Sequence, residues 1–318
     1  MLSKSTPILI AGFGSIGKRH YSNLMALGYT NIAVFDPLDS AFDSQAVIGR
    51  IQKFDIATAK KFKVAFICTP NNLHIKHAAI CAKAGCDLFI EKPLSHNLNG
   101  VRALGDECKR KKLITMVGCN IRFHPGPAFI KKYLDSGRLG KIYSIRHEFG
   151  YFLPYWRPHQ DYRKNYAAKK STGGGIILDD IHEFDLLFWL NGFSPVQKRA
   201  LISDKVGGLS IQTEDMCIAA YQFKNKVIGS VSCDYLQQSY SRKCRVIGEK
   251  GSLNWDMNQN AVWLETKNTT KKIVEFKKAD NNNMYLKEVS EFLSCINTRK
   301  ASQNPIAFAT MTLENILS

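Results

Sequence analysis

The sequence predicts an α/β protein whose first half is a doubly wound parallel sheet, and three observations predict it. The apolar run from Ile8 to Ala11 is followed at once by Gly12-x-Gly14-x-x-Gly17. A second apolar run, Ile32 to Phe35, delivers an acid, Asp36. Further apolar runs then alternate with helical patterns as far as Val117, and one of them ends in Glu91-Lys92-Pro93.

Each element of that half has a local reason. After the first run, a helical pattern through Leu24, Met25 and Leu27 stops at Gly28. The glycines permit a tight turn and close approach of a pyrophosphate, whose negative charge the following helix start would meet. Asp36 stands at the spacing expected of a carboxylate that accepts hydrogen bonds from an adenosine ribose. It would repel a 2′-phosphate, and Pro37 and Leu38 beside it bring no cation, so NAD is expected, with NADP as the alternative. Between Asp36 and the next strand, Val64 to Cys68, there is room for one helix and little else. That strand runs into Thr69-Pro70-Asn71-Asn72-Leu73-His74, and a helix through Ile75, Ala78, Ala79 and Ala82 ends at Gly85. Asp87 to Ile90 then leads to Glu91-Lys92-Pro93 at the carboxyl edge of the sheet, where such sheets bind ligands. A helix near Leu98 to Cys108 and a strand from Leu113 to Val117 complete the order. His74 reads either as a cofactor contact or as a hydrogen-bonded structural histidine.

At 318 residues the chain favours two domains, expected as 1–122 and 123–318. Composition is that of an ordinary globular protein, and no apolar run approaches a bilayer span, so a cytoplasmic location is expected. The nine cysteines are scattered, with no C-x-x-C pair and no matching histidines, so reduced thiols and no metal site are expected. A formal charge of +17, from 44 basic and 27 acidic residues, favours anionic partners. Nucleic acid is one such partner and a phosphorylated or carboxylated metabolite another, although no nucleic-acid motif accompanies the charge.

In the second half, Gly173-Gly174-Gly175 precedes an apolar stretch from Ile176 to Leu190 that stops at Asn191-Gly192. On one helix Ile177, Ile181, Phe184 and Phe188 would form an apolar stripe, with Asp179 and His182 sharing the opposite face, so that acid and imidazole point into one cleft. Runs at Ile142 to Phe149, Asp215 to Phe223, Val227 to Tyr235, Cys244 to Gly248 and Ala261 to Thr266 read as strands. Helices follow near Tyr285 to Ile296 and Ala307 to Leu317, and Asp280-Asn281-Asn282-Asn283 reads as a loop. The segment from Gly150 to Thr172 interleaves aromatic residues with Arg157, Arg163 and three lysines, which suits stacking on sugar rings and gripping of phosphate or carboxylate.

Several of these stretches together resemble one family, the glucose-fructose oxidoreductase, inositol dehydrogenase and rhizopine-catabolism (Gfo/Idh/MocA) oxidoreductases. The stretches are Gly12-Phe13-Gly14-Ser15-Ile16-Gly17-Lys18-Arg19-His20, Cys68 to His74, Glu91-Lys92-Pro93-Leu94, Gly118-Cys119-Asn120-Ile121-Arg122-Phe123, and the triple glycine with its helix. Trp156-Arg157-Pro158, Asp161-Tyr162-Arg163 and His182 to Asp185 look like members from bacterial surface-sugar biosynthesis. The resemblance implies a Rossmann domain followed by an α/β domain with a large, open, mostly antiparallel sheet, commonly used for oligomerisation, so a homo-oligomer (dimer or tetramer) is expected. It implies that Lys92, Asp179 and His182 surround a nicotinamide ring. Several members space the acid and histidine four apart, whereas Asp179 lies three before His182, which leaves the role of Asp179 more open.

The expected activity is hydride transfer between NAD and a secondary alcohol of a sugar or nucleotide-activated sugar. His182 would take the hydroxyl proton and Lys92 would steady the developing alkoxide, or Lys92 would itself be the base. Asp179 would fix the imidazole or the substrate. Residues Gly12 to Gly17, Asp36, Thr69, Pro70, Asn71, His74, Glu91, Lys92 and Pro93 are the expected cofactor contacts. Asn120, Arg122, Trp156, Arg157, Tyr162 and Arg163 are the expected substrate contacts. The rival from another class is a cofactor-binding sensor or scaffold without turnover.

Overall fold

The computed structural model of the chain describes residues 2–43, 47, 49–277 and 281–317. In the first half, the short apolar runs become parallel strands and the periodic stretches between them become helices. The order is β1 (Ile8–Ala11), α1 (Ser15–Ala26), β2 (Ile32–Phe35), β3 (Gly49–Arg50), α2 (Ile56–Ala59), β4 (Val64–Ile67), α3 (His74–Ala84), β5 (Asp87–Glu91), α4 (Val101–Arg110) and β6 (Thr115–Gly118). The strands align as β3-β2-β1-β4-β5-β6, all parallel, with the order reversing between β1 and β4. Both faces of β1 and β4 are buried, which is why they read as unbroken apolar runs. The link after Asp36 is as short as expected, holding the two-residue β3 and the four-residue α2.

The second half begins with α5 (Pro125–Asp135) and β7 (Ile142–Gly150), then α6 (Leu153–Trp156), α7 (Ile176–Asp179) and α8 (His182–Leu190). Next come β8 (Val196–Asp204), β9 (Met216–Phe223), β10 (Ile228–Asp234), β11 (Ser241–Gly248), β12 (Gly251–Asp256), β13 (Ala261–Glu265) and β14 (Thr270–Glu275). These strands form one eight-stranded sheet, β14-β13-β12-β11-β7-β10-β9-β8, antiparallel except where β10 runs parallel to β7. Burial alternates along β7, β9 and β11, and α8 packs on β7 and β10.

Two final helices, α9 (Asn282–Thr298) and α10 (Ile306–Leu317), return to the first sheet. Polar side chains before α10 stitch them down: Ser302 Oγ donates to Thr115 O at 2.7 Å and Asn304 Nδ2 to Val117 O at 3.0 Å. The chain thus divides into one unit from the N-terminus to Asn120 plus Asn281–Leu317, and a second unit beginning at Ile121. A single boundary at 122 is therefore replaced by one in which the last two helices belong with the first sheet.

Other differences have local causes. The loop expected at Asp280 to Asn283 is a turn at Asn281 and the opening of α9 at Asn282, and Asp280 lies outside the described residues. Strands β8, β12 and β14 were not expected: β8 and β14 are the sheet edges and carry charge, including Lys198, Arg199, Lys271 and Lys272, whereas β12 is a six-residue interior strand between β11 and β13. Helix α5 starts on a His124 cap, whose Nδ1 accepts from Gly126 N at 3.1 Å, with proline in its first turn. The expected helix from 176 to 190 is broken after Asp179, a correction that matters for the site.

Candidate functional site

In the first unit the expected cofactor residues lie at the carboxyl ends of four adjacent strands, β2, β1, β4 and β5. Gly12 has φ +93°, and a Cβ there would lie 2.5 Å from the Cys68 carbonyl oxygen, so only glycine lets the ends of β1 and β4 approach. Gly14 precedes α1 with open space around its missing Cβ and gives no side-chain cap. The first amides of a helix have no intrahelical acceptor, so this start suits a pyrophosphate. Asp36 ties the turn together, its Oδ2 accepting from Phe13 N at 2.7 Å and its Oδ1 from Leu38 N at 2.9 Å. Each carboxylate oxygen keeps a further lone pair for a ribose hydroxyl. These residues fit a dinucleotide on their own geometry. The Phe13 ring is fully buried and stacks on Phe42, so Phe13 offers its backbone and not its side chain.

Two buried histidines brace the segment that carries Lys92. His20, on α1, places Nε2 2.6 Å from Glu91 Oε1, and the Lys92 amide reaches the other Glu91 oxygen at 3.3 Å. His74, only 1% exposed, has Nδ1 2.7 Å from Pro93 O and Nε2 2.7 Å from Thr69 O. Burial lowers the His74 pKa, against the pull of those two carbonyls. With a backbone carbonyl 2.7 Å from each ring nitrogen, His74 fits the structural alternative. Glu91 is likewise a brace: its carboxylate is buried against His20. Thr69 and Pro93 are buried, Pro70 is exposed, and Asn71 and Lys92 are half-buried; the Lys92-Pro93 bond is cis. The role of His20 was not legible beyond its place in the glycine motif.

In the second unit the triple glycine brings a tyrosine onto Asp179. A Cβ on Gly174 would lie 2.3 Å from Tyr166 O, and one on Gly175, at φ +105°, would collide with the Glu214 carboxylate at 2.2 Å. The chain around Tyr166 therefore lies against the start of α7. The Tyr166 hydroxyl donates to Asp179 Oδ1, and the Tyr235 hydroxyl donates to Oδ2 at 3.1 Å. Burial and the neighbouring Asp179 drive the Tyr235 hydroxyl pKa well up, so it stays a donor. Asp179 lines a narrow crevice together with Trp156, Arg157, Tyr162 and Tyr166. Three of the expected substrate residues thus meet the expected acid.

The remaining expectations fare differently. Arg163 forms a bidentate exposed pair with Asp161, at 2.8 and 2.9 Å, and is not among the lining residues. Asn120 is buried. Arg122 is corrected: its guanidinium is 2% exposed and grips Asp185 through two bonds of 2.7 and 2.6 Å, between the Trp189 and Phe193 rings. A fork closed on a buried carboxylate anchors α8 and does not reach a substrate. His182 opens α8 and is 8% exposed. Asp179 and His182 do not share a continuous helix face, because residues 180 and 181 interrupt the helix between them.

All nine cysteines are free and buried. Among the described residues there is no cluster of metal-ligating side chains, and no helix is long and apolar enough to cross a membrane.

Comparisons with known proteins agree with this construction. A levoglucosan dehydrogenase of Pseudarthrobacter phenanthrenivorans is 31% identical over 190 residues, which are 53% of this chain and 48% of that protein. The scyllo-inositol 2-dehydrogenase (NAD(+)) of Bacillus subtilis is 24% identical over 318 residues, covering 96% of this chain and 90% of that one. The fold superposes on a levoglucosan dehydrogenase solved in complex with NADH with a TM-score of 0.84 at 18% identity, over 98% of this chain and 95% of that one. Residues 7–119 match the family model for an oxidoreductase family with an NAD-binding Rossmann fold, and residues 128–254 match the GFO/IDH/MocA C-terminal domain. With both halves matched, the chain belongs to the Gfo/Idh/MocA family of NAD-binding oxidoreductases.

Proposed function

We propose that this protein oxidises a secondary alcohol of a sugar or nucleotide-activated sugar, or runs the reverse reduction, with NAD. The observation that carries the reading is Lys92, braced at the end of β5 in the same row of strand ends as the glycine turn and Asp36. The dehydrogenase names of the relatives support the reaction type. NAD, bound by the Gly12–Gly17 turn and Asp36, supplies the hydride acceptor or donor. Lys92 orients the reacting hydroxyl and steadies negative charge on its oxygen. His182 takes the hydroxyl proton, the work an imidazole does near neutrality. Asp179, held by two tyrosine hydroxyls, fixes a substrate hydroxyl, a role its place in the crevice favours over orienting the imidazole.

The substrate carries an anionic group. Arg157 is the cation among the residues lining the crevice, with its guanidinium 5.9 Å from the Tyr166 ring centroid. Trp156 and Tyr162 supply aromatic surface beside it. A homo-oligomer would use the outer sheet face, where Ile202, Ile218 and Ile228 are exposed; sedimentation tests that.

The assay is nicotinamide absorbance with glucose, myo-inositol, glucuronate, UDP-glucose and UDP-glucuronate. Turnover is expected with at least one of these, fastest with a glucuronate. Arg157→Ala should lower kcat/KM for the glucuronates on the order of tenfold and leave neutral sugars within about twofold, as befits loss of one charge-assisted contact. NADH binding without turnover on any sugar would leave a cofactor-binding protein and sink the reading.

A further inference from the structure

The apolar stretch from Ile176 to Leu190 has the composition of one buried helix, yet it breaks at the two residues that separate Asp179 from His182. Asp180 leaves helical geometry, at φ −106° and ψ 39°. On a continuous helix each residue turns about 100°, which would fix the relation of acid and imidazole. Once the helix is broken, that relation depends on whatever holds the break.

What holds it comes from the sheet beneath. In the register of β7 with β11, Arg242 pairs with Phe149 and Cys244 with His147, and all four side chains are buried. The Arg242 guanidinium lies over the Phe149 ring, 4.4 Å from its centroid. From there it reaches both sides of the break: Nη2 pairs with Asp180 Oδ1, and Nε lies 2.7 Å from Glu183 Oε1. The other Glu183 oxygen is 3.3 Å from His147 Nδ1, and His147 Nε2 is 3.5 Å from the Cys244 sulfur. Glu183 and His147 have fully buried side chains, and those of Asp180 and Arg242 are 4% and 8% exposed. Buried ion pairs of this kind add little net stability, because desolvation offsets attraction, while loss of one partner strands a buried charge.

We propose that Arg242 is a positioning residue for the reaction. By bridging Asp180 and Glu183 it sets the α7–α8 break and hence the direction of His182 relative to Asp179. The inference rests on the functional reading above, in which those two side chains serve the substrate. It also accounts for the three-residue spacing of acid and histidine: the spacing spans a clamped discontinuity, so a helical repeat does not apply. The planar guanidinium reaches both carboxylates at once, hydrogen-bonding Asp180 and lying at ion-pair distance from Glu183, whereas an ammonium is a point charge.

Arg242→Lys keeps the charge and loses the fork, so it is the primary test, with Glu183→Gln as the second variant should the first not fold. Two measurements are made on each. With whichever of the five sugars turns over fastest in the wild type, kcat is expected to fall on the order of 10- to 100-fold while Kd for NADH stays within about twofold. In the histidine side-chain NMR spectrum of the NADH-bound protein, the His182 resonances should move and those of His20 and His74 should not. Folded variants with wild-type kcat, or with His182 unmoved, overturn the proposal. If no sugar turns over in the wild type, the functional reading fails, and the NMR measurement still decides whether Arg242 orients His182.

Discussion

At the ends of β1, β4 and β5 the groups that would face a nucleotide are largely backbone, shaped by glycines and braced from behind by His20 and His74. At the α7–α8 break the corresponding groups are side chains, each held by another side chain from elsewhere in the unit: Asp179 by Tyr166 and Tyr235, Asp180 and Glu183 by Arg242, Asp185 by Arg122. A backbone site is announced by a short run of glycines, although its braces reach as far as His20 to Glu91, 71 positions apart. A side-chain site depends on partners 13 to 63 positions away, as with Tyr166 on Asp179 and Arg122 on Asp185, and failure of one partner strands a buried charge.

The contrast breaks most visibly at Gly12. Gly12→Val puts a branched side chain at φ +93°, against a carbonyl 2.5 Å from the first added carbon. NADH affinity, measured by fluorescence titration, should weaken on the order of a hundredfold, about 2.7 kcal/mol. Unaltered binding would mean that this turn does not shape the nucleotide site.

On the side-chain side the corresponding variant is Asp185→Asn. It leaves the Arg122 guanidinium buried without its carboxylate, a defect that costs about 3–5 kcal/mol. Thermal unfolding should show the loss; a melting temperature within about 2 °C of wild type would mean that the pair does not anchor α8.

A smaller effect sharpens the same distinction by pH. Burial opposes charge on His147, but the Cys244 sulfur and the Glu183 carboxylate outweigh it and raise the pKa from 6.5 to about 10. The stability this group contributes is therefore fully present below pH 6.5 and is lost as pH rises through about 10. Between those limits the melting temperature should fall more steeply in the wild type than in His147→Gln. Parallel curves would show that the imidazole does not carry the charge.

Legibility in the sequence follows the same line. The glycine turn, Asp36, the cap at Gly85 and Lys92 at a strand end were readable because each follows a short apolar run or helical pattern that marks it locally. Strands β7, β9, β10, β11 and β13 were readable from their apolar content, while β8 and β14 were hidden by the charges that protect a sheet edge and the short β12 was missed. The break at 180–181 was not readable, because the local pattern favours helix and the opposing pull comes from Arg242 on a strand 62 residues away. Arg122 was misread for a related reason: its motif placed it near a ligand, and only the fold supplied Asp185. Tyr235 sat at the end of an expected strand, with nothing local to mark it as a partner of Asp179.

In the proposed reading the labour is divided, with cofactor binding in the strand-end site and proton transfer at His182. The direct test is the pH profile of kcat for His182→Asn beside its NADH affinity. Wild-type affinity is expected, with kcat down on the order of a hundredfold and the fall of kcat toward acid pH gone. Near-normal turnover across pH would contradict it and pass the base to Lys92.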